Sequence, residues 1–222
     1  MRRSHVKPLF VVFEGIDGAG TTTQCERLCA RLRLDGHHIV QTREPGGTKA
    51  GERIRDLLLD PALEDLDNVA ELLLYGASRR QHVAEVIEPA LRCGKPVISD
   101  RYAQSSVAYQ GIARGLGVNL VSQVNAIATG GLMADVTLYL DLDVDTALQR
   151  RRRRDEGRED RLEQEGSGFQ ATVRQAFLDL ARETPDQSLV VDADMPVDDL
   201  TQSVYQSLLA RFPQFPFRIS DP

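Results

Sequence analysis

A glycine-rich turn near the start of the chain has the residues and the spacing of a phosphate-binding loop. The apolar run at 10–14 predicts a buried strand, and the Thr-Thr-Thr-Gln run at 21–24 predicts the first turn of a helix. Between them, Gly15, Gly18 and Gly20 let backbone amides and the helix N-terminus approach the oxygens of a polyphosphate. We therefore predict an ATP site formed by Gly15, Ile16, Asp17, Gly18, Ala19, Gly20, Thr21 and Thr22.

One position of this loop departs from the usual pattern. The pattern G-x-x-x-x-G-K-[ST] places lysine where Thr21 stands, and the ammonium group of that lysine reaches the β- and γ-phosphates. Thr22 stands where the hydroxyl that binds Mg²⁺ belongs. A glycine-rich turn without catalytic meaning is the alternative, and the missing lysine favours it. We retain the nucleotide site because phosphate-compatible residues also follow later strands.

Charged side chains follow two further predicted strands. Arg43 follows one strand, and the strand at 95–100 ends in Asp100 and is followed by Arg101. Because the C-terminal ends of parallel strands meet at one edge of a sheet, these side chains are expected to face the loop. Asp100 is predicted to bind Mg²⁺ with Thr22, directly or through water. Arg43 and Arg101 are predicted to clamp an acceptor phosphate, and a surface ion pair is the alternative for each.

Five consecutive arginines at 150–154 begin a charged segment. A solvated helix end and a nucleic-acid patch are the alternatives for such a run. We interpret it as a mobile lid over about 150–165, whose guanidinium groups close over the nucleotide phosphates. The formal net charge of −6 argues against a general nucleic-acid binder. We expect Arg154 or Arg158, or else Lys49, to supply the positive charge that the loop lacks.

Strand patterns alternate with helix patterns along the whole chain. Strands are predicted over 10–14, 38–42, 95–100, 136–141 and 189–192, and helices over 22–34, 50–59, 68–91, 119–128, 169–182 and 198–212. A loop is expected at 111–117, and residues 213–222 are predicted to be a tail without regular structure. The alternation predicts an α/β fold of the phosphate-loop NTPase type, with a five-stranded parallel sheet and helices on both faces.

The composition is that of a single domain spanning 1–222 with one hydrophobic core. A hydrophobic fraction of 41% with 27% charged residues is ordinary for a soluble globular protein. Cys25, Cys29 and Cys93 lack metal-like spacing, which indicates a reducing compartment. The first apolar run ends at Glu14, too soon for a signal peptide or a membrane span. We therefore predict a cytoplasmic protein with small-molecule partners and no nucleic acid or membrane.

Several short motifs together resemble those of the bacterial thymidylate kinases, a family of phosphate-loop nucleoside monophosphate kinases. They are FEGIDGAG at 13–20, TREPGGT at 42–48, YGASRRQH at 75–82, DRY at 100–102, SSVAYQG at 105–111, ARG at 113–115 and DRLEQE at 160–165. The resemblance covers nearly the whole chain. It implies transfer of the γ-phosphoryl group of ATP to thymidine monophosphate (dTMP) with Mg²⁺, giving the diphosphate (dTDP) and ADP for dTTP synthesis. It also implies a homodimer formed through the long helices.

The resemblance further implies a role for matching residues of the acceptor site. Asp17 accepts a hydrogen bond from the sugar 3′-hydroxyl, and Arg43 and Arg101 hold the acceptor phosphate with Arg55 beside them. Tyr75 stands where the family usually has Phe, and its ring still offers a π face to thymine.

Further matching residues concern the base and the sugar. Tyr109 crowds the 2′ side of the sugar, and Arg79, Ser106 and Gln110 read the base edge. The implied substrate site is Asp17, Arg43, Glu44, Arg55, Tyr75, Arg79, Arg101, Ser106, Tyr109 and Gln110. The implied catalytic set is Asp17, Arg43, Arg101, Arg154 and Arg158.

Two other functions compete with this interpretation. One is a related kinase with another acceptor, such as deoxyuridylate or a deoxynucleoside, although a phosphate clamp requires a monophosphate. The other is a catalytically weakened nucleotide-binding homologue, because Thr21 replaces the loop lysine.

Overall fold

A computed structural model of the chain describes residues 6–154, 161–162 and 165–219. Its strands are β1 (Val6–Pro8), β2 (Phe10–Glu14), β3 (Val40–Arg43), β4 (Val97–Asp100), β5 (Val136–Asp141), β6 (Ser188–Asp192) and β7 (Phe217–Ile219). Strands β2 to β6 form one parallel sheet in the order β3-β4-β2-β5-β6. The predicted five-stranded parallel sheet is therefore confirmed.

Helices cover both faces of this sheet. They are α1 (Thr21–Leu34), α2 (Lys49–Leu59), α3 (Asn68–His82), α4 (Glu88–Arg92), α5 (Ala103–Ser106), α6 (Val118–Thr129), α7 (Val144–Arg154), α8 (Ser167–Glu183) and α9 (Val197–Arg211). A π-helical turn at Val83–Ile87 joins α3 to α4, and a second at Val107–Ala113 extends α5. Within the described ranges, no helix has both the length and the apolar composition that a membrane span requires.

The central strand β2 separates two halves of the core. Val11 and Phe13 pack into the larger hydrophobic cluster, whereas Phe10 and Val12 pack into the smaller one. Alternate residues of a strand face opposite sides of a sheet, and helices cover both sides here. All five residues of β2 are consequently buried, which explains why its sequence is a continuous apolar run ending at Glu14. This burial fixes the position of the loop that follows β2.

The structure corrects two of the predicted boundaries. The expected loop at 111–117 is wrong in its first half, because Gly111 and Ala113 belong to the π-helical turn, which also contributes Tyr109 and Gln110 to the smaller cleft described below. The expected irregular tail is also wrong, because β7 pairs antiparallel with β1. The side chain of Phe215 is buried in the larger hydrophobic cluster, and burial of this ring holds the end of the chain beside its beginning.

Candidate active site

The glycine-rich loop connects β2 to the N-terminus of α1 at the C-terminal edge of the sheet. Gly20 precedes the first helical residue with φ 94°, a left-handed conformation that glycine adopts without strain. A Cβ atom at Gly18 would lie 2.4 Å from the carbonyl oxygen of Ala147, so only glycine allows α7 to approach the loop this closely. The predicted turn from strand to helix is confirmed, and α7 packs directly against it.

Thr22 and Asp100 meet beside this loop. The Thr22 hydroxyl donates to Oδ2 of Asp100 at 2.5 Å, because β4 neighbours β2 and ends next to the first turn of α1. The other carboxylate oxygen, Oδ1, is buried and lacks a hydrogen-bond partner among the residues that the structure describes. A hydroxyl and a carboxylate with an available oxygen are the ligand types that Mg²⁺ prefers. The two residues therefore fit the predicted metal site.

The protein supplies only part of a metal coordination shell here. Over the described ranges, no group of three or more His, Cys, Asp or Glu residues is placed to hold a metal ion. Mg²⁺ in kinases keeps several waters and takes substrate phosphates as ligands, so one carboxylate and one hydroxyl suffice.

Arg101 follows β4 directly and reaches back to the loop. Its guanidinium group donates to the carbonyl oxygen of Gly15 at 3.0 Å and to Oδ1 of Asp17 at 2.6 Å. The same group lies 5.4 Å from the centre of the Tyr109 ring. Arg101 is thus held on three sides with its charge at the mouth of the loop, where an acceptor phosphate can approach.

Arg101 has a strained backbone that Glu14 maintains. Its φ of 71° is the only positive φ of a non-glycine residue in the described part of the chain. The buried carboxylate of Glu14 accepts from the backbone amides of Tyr102 and Ser105, both at 3.0 Å, and from the Ser105 hydroxyl at 2.5 Å. These three bonds hold the turn after Arg101 in place. Strain of this kind clusters at functional sites.

Burial raises the pKa of the Glu14 carboxyl to about 7, although the charge of Arg101 and three hydrogen bonds act in the opposite direction. The folded state therefore binds a proton more tightly than the unfolded state, and this stabilisation is lost as the pH rises toward 7.

The natural protein is expected to lose stability relative to Glu14→Gln as the pH rises. The difference between their free energies of unfolding, natural protein minus variant, should fall by about 2 to 3 kcal/mol between pH 5 and 8. Urea unfolding at several pH values measures this difference, and a constant difference would contradict the prediction.

Arg43 lies at the end of β3, opposite Asp100 in the adjacent strand. It lines the same cleft as the phosphate loop, but its guanidinium group pairs with Glu52 at 2.6 Å and its side chain is 46% exposed. In this structure Arg43 forms a surface ion pair, which was the alternative to its predicted role in an acceptor-phosphate clamp. It therefore reaches the edge of the cleft, whereas Arg101 is hydrogen-bonded to the phosphate loop.

Two clefts meet at this edge of the sheet. The smaller cleft, of about 550 Å³, is lined by Asp17, Glu44, Pro45, Arg55, Leu59, Tyr75, Arg79, Arg101, Tyr102, Ser105, Tyr109, Gln110 and Leu162. The larger cleft, of about 1480 Å³, contains the loop from Asp17 to Gln24 together with Arg43, Asp100, Arg150, Arg151 and the start of α9. Both clefts share Asp17, Glu44, Arg55 and Arg101. Ligands in the two clefts would therefore meet at these four residues.

Aromatic rings form the apolar walls of the smaller cleft. Tyr75 is almost fully buried and packs with Leu58 and Leu162. Tyr109 donates its hydroxyl hydrogen to Oδ2 of Asp17 at 3.3 Å. Both tyrosines have a pKa raised by burial, so they stay protonated at neutral pH.

Arg79 lies at the inner end of the smaller cleft and is 1% exposed. It donates to Glu44 at 2.7 Å, to Ser106 at 3.0 Å and to Asn125 at 2.7 Å. Ser106 is fully buried behind Arg79, and Ser105 is the serine that lines the cleft. The structure thus brings Arg79 to the cleft as predicted and places Ser106 one layer further back.

Glu71 is a central residue that sequence reasoning missed. Its carboxylate, which is fully buried, accepts from Gln110 at 2.7 Å and from Arg114 at 3.3 Å, and it forms an ion pair with Arg161. Arg161 also donates to the carbonyl oxygen of Leu58 at 3.0 Å. Glu71 therefore joins the cleft to the segment that follows α7. Its position four residues before Tyr75 on α3 was the available signal.

The structure describes two parts of the predicted lid, its start at the end of α7 and the residues Arg161 and Leu162. Arg150 to Arg154 are the last turn of α7, and Arg161 with Leu162 is anchored at the smaller cleft. Of the proposed replacements for the loop lysine, Arg154 ends α7, Arg158 lies outside the described residues, and Lys49 is exposed at the start of α2. Mobility of the lid stays a prediction.

Comparison with known proteins supports one family. The thymidylate kinase family model matches residues 13–204. The chain belongs to the thymidylate kinase family. The thymidylate kinase of Deinococcus radiodurans is 51% identical over 203 residues, which are 91% of this chain and 97% of that protein. That of Enterococcus faecalis is 42% identical over 207 residues, or 93% and 98% of the two chains.

A crystal structure of the thymidylate kinase from Ehrlichia chaffeensis has a similar fold. It superposes with a TM-score of 0.74 at 32% identity, over 91% of this chain and 98% of that one. Membership in the thymidylate kinase family confirms the resemblance drawn from the sequence motifs, and it makes the chain an ATP-dependent nucleoside monophosphate kinase. A kinase from a neighbouring family is not favoured.

Proposed function

We propose that this chain transfers the γ-phosphoryl group of ATP to dTMP, giving ADP and dTDP. The observation that carries the proposal is the contact of Arg101 with both Gly15 and Asp17, where the two clefts meet. In phosphoryl transfer the enzyme mainly positions its substrates and stabilises charge on the moving group. A guanidinium group at the junction does both.

The smaller cleft has the shape and chemistry of a deoxynucleotide site. It combines an apolar, aromatic wall with a few polar and charged side chains, as ligand pockets usually do. Tyr75 offers a ring for stacking on thymine, and Tyr109 stands beside Asp17 where a sugar 2′-hydroxyl would be crowded. We assign the 3′-hydroxyl to Asp17 and the base edge to Arg79 and Gln110.

Four other predicted residues support the acceptor site in this proposal, two by positioning Arg79 and two by adding positive charge. Ser106 and Glu44 fix the direction of Arg79, because each is bonded to its guanidinium group. Arg55 lines both clefts and donates to the carbonyl oxygen of Pro45 at 3.1 Å, which places its charge near the acceptor phosphate. Arg43 joins it once its side chain leaves Glu52.

The loop amides and Thr22 with Asp100 form the donor half of the site. Thr22 and Asp100 would hold Mg²⁺, which neutralises charge on the phosphates of ATP when bound. The acceptor needs no base from the protein, because a phosphate monoester, whose second pKa is about 6, is already an anion at neutral pH. Two of the four residues at the junction are arginines, Arg55 and Arg101, which can orient phosphate oxygens and offset their charge.

Replacing Thr22 with valine is expected to lower kcat about 100-fold and to raise the Mg²⁺ concentration that gives half-maximal rate. Valine keeps the size of threonine but removes the hydroxyl that donates to Asp100. The matched control is Thr22→Ser, which keeps the hydroxyl and is expected to stay within about 10-fold of the natural protein. Equal rates for the serine and valine variants would remove Thr22 from the metal site.

A coupled assay of ADP release tests the proposed activity. With ATP and Mg²⁺ present, ADP formation should require dTMP, should be slower with deoxyuridylate, and should be absent with thymidine, which offers no phosphate to the arginines. Thymidylate binding in a calorimeter without ADP formation would support the catalytically weakened homologue instead. Faster reaction with a free nucleoside would overturn the acceptor assignment.

We also propose a homodimer formed through α3 and α6, which pack against each other. Val69 and Leu73 share one face of α3 and are 41% and 56% exposed, and Leu120 and Ile127 on α6 are 38% and 78% exposed. Apolar side chains grouped in this way favour an interface.

Three free cysteines support a reducing, cytoplasmic location.

Replacing Leu73 with glutamate is expected to convert the dimer to a monomer, because a charge would be buried at the interface. Leu34→Glu is the matched control, since Leu34 is 89% exposed on α1, away from this pair of helices. Sedimentation velocity measures the mass of each variant. A monomeric natural protein, or an L73E dimer as stable as the natural one, would exclude this interface.

A further inference from the structure

The phosphate loop has no cation of its own at the position where such loops carry one. Thr21 is the first residue of α1 and is 6% exposed. Its methyl group lies against Gly15, where an added Cβ atom would be 3.3 Å away. Threonine therefore fills the base of the loop with an uncharged group. Charge for the outer phosphates of ATP must come from another element.

Helix α7 is the element that packs on this loop. The carbonyl oxygen of Ala147 abuts Gly18, as the close approach of 2.4 Å to an added Cβ atom shows. Arg151 is one helical turn later and shares a face with Ala147. Arg151 is 3% exposed and lines the larger cleft together with the loop from Gly18 to Gln24. A buried arginine thus lines the same cleft as the phosphate loop.

The neighbouring arginines of α7 are placed differently. Arg150 donates to the carbonyl oxygen of Ala193 at 3.1 Å, and it lies 3.7 Å from Asp194. It therefore points toward the connection between β6 and α9. Arg152 and Arg153 are exposed. Among the arginines at 150–153, whose side chains the structure describes, only Arg151 combines burial with a place in the larger cleft.

We propose that Arg151 binds the β- and γ-phosphates of ATP and takes over the role of the missing loop lysine. This inference rests on the proposed function, because it assumes a triphosphate in the larger cleft. A guanidinium group suits the task, since its fork can bond two phosphate oxygens at once and it stays charged when buried. The positive charge on the outer phosphates would then come from α7, which packs on the loop, rather than from position 21 at the start of α1.

The first test compares nucleotides that differ only in their outer phosphates. Calorimetry without dTMP measures the affinity of each variant for ATP with Mg²⁺ and for AMP. Arg151→Gln is expected to weaken ATP binding about 30-fold or more and to change AMP binding less than about 3-fold, because AMP lacks the two outer phosphates. Arg92→Gln removes the same charge from an exposed position on α4, where Arg92 pairs with Glu88, and is expected to change neither affinity by more than about 3-fold.

A structural role for Arg151 predicts a different result. Loss of packing alone would lower the unfolding temperature and weaken ATP and AMP binding equally. Arg151→Met keeps the apolar stem and serves if the glutamine variant does not fold. Equal ATP affinity of the natural protein and of whichever variant folds would overturn the proposal. This test needs no turnover, so its outcome is separate from the success of the ADP-release assay.

The second test restores the charge at its usual position. In the R151Q background, Thr21→Lys is expected to recover ATP affinity and kcat by about 10-fold or more, whereas in the natural protein it should raise kcat less than about 10-fold. Such non-additivity shows that the two side chains serve one function. A gain of about 100-fold from T21K in the natural protein, or no recovery in R151Q, would show that Arg151 does not replace the lysine.

Discussion

Replacing Arg101 with alanine is expected to lower kcat/KM for dTMP by about 10³- to 10⁵-fold, the range found for arginines that stabilise a phosphoryl group in transfer. The guanidinium group touches Gly15 and Asp17 at once, so its loss removes charge from the junction and frees the carboxylate of Asp17. Steady-state assays of ADP release measure the change. Arg92→Ala is the control, because Arg92 lies on α4, is 67% exposed and pairs only with Glu88 in the described part of the chain.

The strained backbone of Arg101 provides a second control. Glycine adopts a φ of 71° more readily than alanine does. Arg101→Gly should therefore be more stable than Arg101→Ala by about 1 kcal/mol, while both variants lose activity to the same extent. If R101G or R101A kept activity within about 10-fold of the natural protein, the junction would not depend on this charge.

Replacing Glu71 with alanine is expected to cost about 3 to 5 kcal/mol of stability, the usual effect of removing one partner from a buried ion pair. Glu71 is fully buried, and its loss leaves Arg114 and Arg161 without their shared carboxylate. For a chain of this length the melting temperature should fall by about 6 to 20 °C. Differential scanning calorimetry measures the change.

Two variants separate the charge of Glu71 from its hydrogen bonds. Glu71→Gln keeps one acceptor for Gln110 and removes the charge, so an intermediate loss of stability is expected. Glu88→Ala removes a carboxylate that pairs with Arg92 at the surface and should cost less than about 1 kcal/mol. Equal losses for E71A and E88A would mean that the buried cluster contributes nothing beyond a surface pair.

The parts of the site that depend on local sequence were predictable. The apolar run of β2, the glycine pattern and the helix after it occupy consecutive positions, and the structure confirms each. The meeting of Thr22 with Asp100 was also predictable, because parallel strands end at one edge of a sheet. For Arg101 the same rule holds, since it follows β4 directly and contacts Gly15.

The features that sequence reasoning missed depend on contacts between distant segments. The partners of Glu71 are 39, 43 and 90 residues away, so its spacing from Tyr75 places it on the same face of α3 but does not reveal these partners. The motif marked Ser106 for the base edge, whereas Ser105 lines the cleft and Ser106 is buried against Arg79, and only the packing of α5 distinguishes these adjacent residues. The pairing of β1 with β7 joins the two ends of the described chain.

Arg151 illustrates a different difficulty. Within a run of five arginines the residue types are identical, so only the orientation of α7 against Gly18 distinguishes one position from the next. The sequence indicated a surplus of arginine near the phosphates, and among the arginines at 150–153, whose side chains the structure describes, Arg151 is the buried one.

The central claim is that donor and acceptor phosphates meet at Arg101 between the two clefts. A compound that joins adenosine and thymidine through five phosphates tests this claim most directly, because it must occupy both clefts at once. Calorimetry is expected to show one molecule bound per chain, at least about 100-fold more tightly than ATP or dTMP alone, with displacement by either nucleotide and loss of this advantage in R101A. Binding no tighter than ATP, with displacement by only one of the two nucleotides, would contradict the account.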